Sequence, residues 1–418
     1  MVTVAIIGSG PAGCYTAQFL RKRRPDAEIT IFDRLPVPFG LVRYGVAPDH
    51  QGTKAVTRQF DRLFEREGVR FAGNVEVGVD LTVAELEEAY DVVVVATGLD
   101  SDRRLGIPGD DHPLITGAGR IVRQVNGHPD AGDDVIRIGR RVVVIGNGNV
   151  AIDVLRMLLK PLDAFTDSDV DDHVLAELRG GGLEHIDVVG RSPIDRAKFD
   201  PVFLRELKGL PGVRFEVDEP VVEDSPVADV VRGLVAESDR EAAVSVSFRF
   251  GYRPVAVVDT DQGCAVSFAA ADARELTLAA DSVITAIGFE HGANRLYPHH
   301  APGAETISPA PRTYRTGWYR RGPRGTIPEN RVDAREVADV IADDIDAGVV
   351  GVHRRGWAAL PSSIEDKAVD FEAWRAIDAV EVGRARADRA RHKITDREEL
   401  LRIAADAALS VQGKTQEH

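Results

Sequence analysis

The 418-residue chain holds two cysteines, two methionines and three tryptophans. Cys14 and Cys264 lie far apart, which excludes a CxxC redox pair, a cysteine-ligated iron–sulfur cluster and a disulfide scaffold. The paired cysteines of a flavin disulfide reductase are missing for the same reason. No apolar stretch approaches the ~18 residues of a membrane-spanning helix. Positive charge is short: 52 Lys and Arg stand against 67 Asp and Glu, for a net charge of −15. Such a chain repels phosphate backbones and anionic membranes, which disfavours nucleic-acid and membrane-surface binding. The N-terminus has no basic stretch and no small-residue cleavage site of a secretory signal. Together with the sparse cysteines, this fits a cytoplasmic setting.

Apolar residues make up 44% of the chain, enough for a globular core. Val4–Ile7 reads as a buried strand, 11–24 as a helix, Glu28–Asp33 as a second strand and Asp91–Ala96 as a third, ending at Thr97-Gly98. A second start comes at Arg141, with a strand to Ile145, a helix to about Leu159 and a strand from His185 to Val189. Further strands are expected at 244–250, 254–259, 264–269 and 283–288, then a Pro-, Gly- and His-rich connection and a helix from about Asn330 to Asp346. The tail after 355 is charged and helical in pattern. The fold class is α/β, with two dinucleotide-binding units built on parallel sheets.

Gly8-Ser9-Gly10-Pro11-Ala12-Gly13 lies between a strand and a helix and matches G-x-G-x-x-G. The first glycine makes the turn, the second admits a pyrophosphate and the third lets helix pack on strand. Asp33 ends the next strand, about twenty residues on, where a carboxylate accepts from a ribose 2′-hydroxyl. That excludes a 2′-phosphorylated cofactor there and leaves FAD or NAD. The second turn, Gly146-Asn147-Gly148-Asn149-Val150-Ala151, has Ala in the third position. Its following strand ends at Arg191-Ser192, with no acid; a guanidinium there pairs with a 2′-phosphate, which points to NADP. Two such units in one chain suggest two cofactors exchanging a hydride.

The segment Pro38-Phe39-Gly40-Leu41-Val42-Arg43-Tyr44-Gly45-Val46-Ala47-Pro48-Asp49-His50 resembles a hallmark of adrenodoxin reductase and its bacterial ferredoxin–NADP reductase relatives. The second turn, Leu204-Arg205-Glu206-Leu207 and Gly317–Ile327 follow in the family's order. The resemblance implies a glutathione-reductase-like fold. Residues 1–103 and 295–418 would form a discontinuous FAD domain, and 104–294 an inserted NADP domain. It implies that Gly8, Gly10, Pro11, Ala12, Gly13, Asp33 and Gly98 bind FAD. Gly40, Leu41 and Val46, with Trp318 and the Gly325, Thr326 and Ile327 backbone, would line the flavin. His50 and Glu206 would lie at the nicotinamide, positioning it and shuttling protons. Where the family has two arginines, this chain has Arg191-Ser192, so NADH use is an open alternative to NADPH. Where the family continues with Gly-Thr after the Ile, Pro328-Glu329 stands, so the helix start is expected to be reshaped.

The implied activity is an FAD-dependent NADPH:ferredoxin oxidoreductase, passing a hydride to flavin and single electrons to an iron–sulfur ferredoxin that would feed a cytochrome P450 or a similar enzyme. Docking to an acidic ferredoxin needs a local basic patch. Candidates are Arg196, Lys198, Arg205 and Lys208, and Arg320, Arg321 and Arg324 beside Trp318. Two other readings stay open: a flavin subunit of a larger complex of glutamate-synthase type, and a redox-inactive nucleotide sensor. Cys14 reads as a small packing residue, Trp357 and Trp374 as packing residues of the tail. His299-His300 lacks further ligands at metal-binding spacing.

Overall fold

A computed structural model describes residues 1–132, 134–218, 221, 224–239, 241–292, 296 and 306–415. His299-His300 lies outside them. The chain divides into two compact units. The first comprises Met1–Val46, His50–Ser101 and Phe289–His418, the second Ala47–Asp49 and Asp102–Gly288.

In chain order, the first unit starts with β1 (Thr3–Ile7), helix α1 (Pro11–Arg23), β2 (Glu28–Phe32), β3 (Arg70–Ala72) and β4 (Val92–Val95). The second unit holds β5 (Ile115–Gly117), β6 (Arg141–Ile145), α2 (Asn149–Leu159), β7 (His185–Gly190), α3 (Pro201–Arg205), β8 (Val213–Val217) and β9 (Val244–Phe250). It continues with β10 (Tyr252–Thr260), β11 (Gly263–Ala270), β12 (Glu275–Ala280) and β13 (Ser282–Thr285). The chain then returns to the first unit through β14 (Thr313–Arg315), α4 (Ile327–Asp346), α5 (Phe371–Gly383) and α6 (Arg397–Thr415).

The first unit is a five-stranded parallel sheet in the order β14-β4-β1-β2-β3. Its central strands read TVAII and VVVV, β-branched and buried on both faces as a helix-covered parallel sheet requires. Strand β1 lies between β2 and β4, so connections leave it in opposite directions, and a crevice opens at its carboxyl end. The core on one face joins α1 and α4 to Phe60, Phe71, Trp374 and Ile377; Leu400 and Ala404 bring α6 into it. The tail is thus part of this unit's core. Cys14 is buried, and burial pushes its thiol up.

The second unit has a six-stranded parallel sheet, β5-β13-β6-β7-β9-β8, with β6 at the same kind of switch point. A three-stranded antiparallel sheet, β10-β11-β12, contributes Val257, Val266 and Phe268 to a core with Val143, Ile145 and Val189.

Helix α4 starts three residues before the expected Asn330. Thr326 and Glu329 form a capping box, with Thr326 N donating to Glu329 at 2.7 Å, and Pro328 sits in the first turn where no N–H is missed. The Pro-Glu departure therefore builds the helix start.

Asp61, on the helix Thr57–Glu65, has its carboxyl pushed up to about 6 by burial; Arg375 and Arg391 oppose the shift, and Glu65 and Asp378 add to it. The folded state therefore holds this proton more tightly than the unfolded chain, whose Asp titrates near 3.9. Stability from this group is full below the unfolded value and is lost as pH rises through about 6. Asp61→Asn is expected to flatten the rise in melting temperature between pH 7 and 5. An unchanged pH slope in the variant would remove Asp61 as its source.

Candidate functional site

At the end of β1 the chain makes the first glycine turn. Gly8 has φ +107°, and a Cβ on it would lie 2.6 Å from Ala96 O. At Gly13 a Cβ would lie 2.0 Å from Gly8 O, so the third glycine is demanded by the close approach of α1 to β1. Gly10 differs: nothing lies within 4 Å of its would-be Cβ, and its φ of −67° suits any residue. Packing does not ask for glycine there. What glycine leaves open is the approach to the N-terminus of α1, whose first N–H groups have no helical acceptor.

Asp33 stands at the end of β2. Its Oδ2 accepts from Ser9 N at 2.9 Å and from the Ser9 hydroxyl, and its Oδ1 from Leu35 N at 3.0 Å. The carboxylate thus braces the turn, with lone pairs left for a further donor. A cleft at this sheet edge is lined by the candidate residues Gly8, Asp33 and Gly98 with Thr97, and also by Arg34, Glu76, Val77, Asp100, His291 and Tyr319. These last six were not read from the sequence. Asp100 follows Thr97-Gly98 closely enough to be sought there; Glu76 and Val77 arrive through β3 and carry no local signal.

The Phe39-Gly40 pair has φ +81° and +45°, a conformation a Phe rarely adopts. It is held by Phe39 N on Ser9 O (3.2 Å) and by rings of Phe60 and Trp374, both 6.2 Å away. Gly40 lies over the turn: its would-be Cβ is 3.2 Å from Gly10 Cα. Leu41 opens a short helix to Tyr44, and Val46 N closes back on Leu41 O at 2.9 Å. Trp318 donates Nε1 to Gly325 O at 3.2 Å and stacks on Phe289 at 5.6 Å. Thr326 N is already taken by Glu329.

In the second unit the turn after β6 repeats the pattern. A Cβ on Gly146 would lie 2.2 Å from Ala286 O, whereas one on Gly148 would meet nothing within 4 Å. Asn147 is 9% exposed, and its Nδ2 is buried without a hydrogen-bond partner. An amide donor of this kind on a phosphate-type turn awaits an acceptor. Asn149 Oδ1 accepts from Asp200 N at 2.8 Å, tying the start of α3 to the turn. Val150 is half-buried and Ala151 fully buried. Arg191 and Ser192 follow β7, the neighbour of β6, with Arg191 exposed. The donor sets therefore fit an adenine dinucleotide at each turn.

His50 belongs to the first unit, at the start of the short helix Gln51–Lys54; Glu206 belongs to the second, closing α3. Of the basic candidates, Arg196, Lys198, Arg205, Lys208 and Arg324 are exposed. Arg320 is not: at 8% exposure it pairs with Asp333 and with Glu336 (2.8 Å). Arg321 reaches Asp333 at 3.1 Å and Asn330 Oδ1 at 3.0 Å. Asp333 also accepts from Thr316 and Gly317 N. These two arginines brace the Gly317 loop against α4, so neither is a docking cation. No helix among the described residues is long and apolar enough to cross a membrane.

The pyridine nucleotide-disulphide oxidoreductase family matches residues 2–179. Cindoxin reductase of Citrobacter braakii is 43% identical, over 96% of this chain and 91% of its own length. The mitochondrial NADPH:adrenodoxin oxidoreductase of Arabidopsis thaliana is 32% identical, over 96% and 95%. A solved structure of Mycobacterium tuberculosis FprA in complex with NADPH superposes with a TM-score of 0.86 at 30% identity, over 97% of this chain and 99% of that one. The chain belongs to the family of adrenodoxin reductase and the bacterial ferredoxin–NADP reductases.

Proposed function

We propose that the chain is an FAD-dependent reductase that takes a hydride from NADPH and delivers electrons to an iron–sulfur protein, in the cytoplasm. The observation that carries this reading is the pair of turns whose middle glycines, Gly10 and Gly148, are free of packing duty and leave a helix N-terminus open. Relatives named for adrenodoxin, cindoxin and ferredoxin support the acceptor class.

Bound flavin supplies the conversion between two-electron and one-electron transfer. The chain's own residues do the rest. Gly8, Gly10, Pro11, Ala12 and Gly13 hold the FAD pyrophosphate on the N-terminus of α1, and Asp33, already braced by Ser9, accepts from the ribose; Gly98 closes the cleft. Gly40, Leu41, Val46, Trp318, Gly325 and Ile327 line the ring; Thr326, its N–H on Glu329, does so through its remaining atoms. Gly146 to Ala151 hold the NADPH pyrophosphate, Asn147 Nδ2 finding its acceptor there. Arg191 pairs with the 2′-phosphate and Ser192 hydrogen-bonds it. His50 and Glu206 orient the nicotinamide and hold or move a proton beside it. Exposed Arg196, Lys198, Arg205 and Lys208 form the docking patch for an acidic iron–sulfur protein.

The test is an anaerobic visible spectrum during separate additions of NADPH and NADH. A flavin band bleached at far lower NADPH than NADH is expected. Arg191→Ala should raise the NADPH needed by about tenfold, the worth of one exposed charge-assisted contact, and leave NADH unaffected. Equal bleaching by NADH in the parent protein would retire the phosphate-binding role of Arg191. A flavin that neither nucleotide bleaches would leave only nucleotide binding.

A further inference from the structure

Arg156 lies on α2, seven residues after Asn149, and is 7% exposed. Each of its three guanidinium nitrogens holds a different carboxylate. Nε lies 2.7 Å from Glu206 Oε2, Nη1 lies 3.3 Å from Asp153 Oδ1, and Nη2 pairs with Asp49. The three acids come from separate stretches: Asp153 from the same helix, Glu206 from the end of α3, and Asp49 from the short excursion Ala47–Asp49. Asp49 is 5% exposed and is shared with Lys160 at 2.8 Å. Pro48 O accepts from Asp169 N at 3.2 Å, so the excursion is held at two points.

The consequence for α3 is geometric. Its start is fixed to the second turn by Asp200 N on Asn149 Oδ1, and its end by Glu206 on Arg156. Asn149 and Arg156 are two helical turns apart on one face of α2. One helix thus sets both the dinucleotide turn and the carboxylate of Glu206, whose side chain is 34% exposed.

We propose that Arg156 is a positioning residue for hydride transfer, holding Glu206 in register with the second dinucleotide turn. This rests on the reading of Glu206 as a residue of the nicotinamide end. A lysine keeps the charge but cannot present three planar donors in three directions.

The experiment is rapid mixing of the FAD-loaded protein with NADPH, following loss of the flavin band, for the parent, Arg156→Lys, Glu206→Gln and the double variant. Arg156→Gln is run beside Arg156→Lys, so the comparison stands if either folds. Misplacement of a positioning group by about 1 Å can cost on the order of a hundredfold. The limiting rate is expected to fall at least about tenfold in Arg156→Lys, with melting and affinity for 2′,5′-ADP unchanged. The double variant should be no slower than Glu206→Gln, because Arg156 acts through Glu206. A parent-like rate in both Arg156 variants, or the same further slowing in the Glu206→Gln background, would overturn the proposal. A parent-like rate in Glu206→Gln itself would instead overturn the role of Glu206, and this inference with it.

Discussion

A Glu381→Gln variant is expected to melt on the order of 10 °C below the parent protein, from a loss of about 3–5 kcal/mol. Glu381 lies on α5 and is fully buried. Arg43, in the Leu41–Tyr44 helix, places Nη2 at 2.6 and 2.7 Å from its two oxygens. Ile394 N donates to the same carboxylate at 3.0 Å, and Arg391 stands 3.5 Å away. Burial works against the Arg43 charge, and Glu381 outweighs it, so the guanidinium's pKa is raised. The guanidinium also lies over the rings of Tyr44 (5.0 Å) and Trp374 (4.9 Å), and Arg43 O accepts from Lys54 and Lys393, each at 3.2 Å. A neutral amide at 381 leaves the buried Arg43 guanidinium without its acid, while the half-buried Arg391 keeps Asp378. The penalty comes from the abandoned charge rather than from the worth of the pair, so Arg43→Met with Glu381→Leu should recover much of the loss. Thermal unfolding of the single and double variants checks both statements. A single variant that melts with the parent, or a double variant no better than the single, would show that the charge is not stranded. The flavin band should also weaken in the single variant, since the clamped segment carries the Phe39-Gly40 pair over the first turn.

That clamp was invisible in the sequence for a physical reason. Arg43 and Glu381 are 338 residues apart, and neither sits in a pattern that marks burial. An arginine reads as a surface residue until its counter-charge is known, and the same blindness made Arg320 and Arg321 look like docking cations. Arg156 is equally unmarked, because an arginine in a predicted helix gives no hint of two further carboxylates arriving from other stretches. The two turns were legible because their requirements are local: β-branched runs, glycines at fixed offsets, an acid or an arginine at the next strand end. The capping box at Thr326 and Glu329 was also local, a Thr-x-x-Glu ahead of an apolar-periodic run, and could have been read directly. The separate duty of each glycine was likewise read from the motif, and the contacts behind it come from the neighbouring strand.

Those separate duties make the second large prediction. Gly10→Ala should leave the flavin-free protein as stable as the parent, because its Cβ meets nothing within 4 Å and its backbone is ordinary. The methyl group stands instead in the approach to the N-terminus of α1. Losing one or two charge-assisted hydrogen bonds to a pyrophosphate costs about 1.5–3 kcal/mol each, so FAD affinity should fall by roughly tenfold to several hundredfold or more. Gly13→Ala should behave in the opposite way. Its Cβ would lie 2.0 Å from Gly8 O and 3.3 Å from Ile6 Cγ2, so α1 must move off β1 and the flavin-free protein itself should lose about 1–3 kcal/mol or more. The second turn offers an internal control, since it already carries Ala151 in the third position and buries it. Melting with and without added FAD separates the cases. For Gly10→Ala the flavin-dependent increment should shrink while the baseline holds; for Gly13→Ala the baseline should drop. If Gly10→Ala retains flavin at the parent's affinity, the open space before α1 does not hold the pyrophosphate, and the assignment of the first unit to FAD loses its main support.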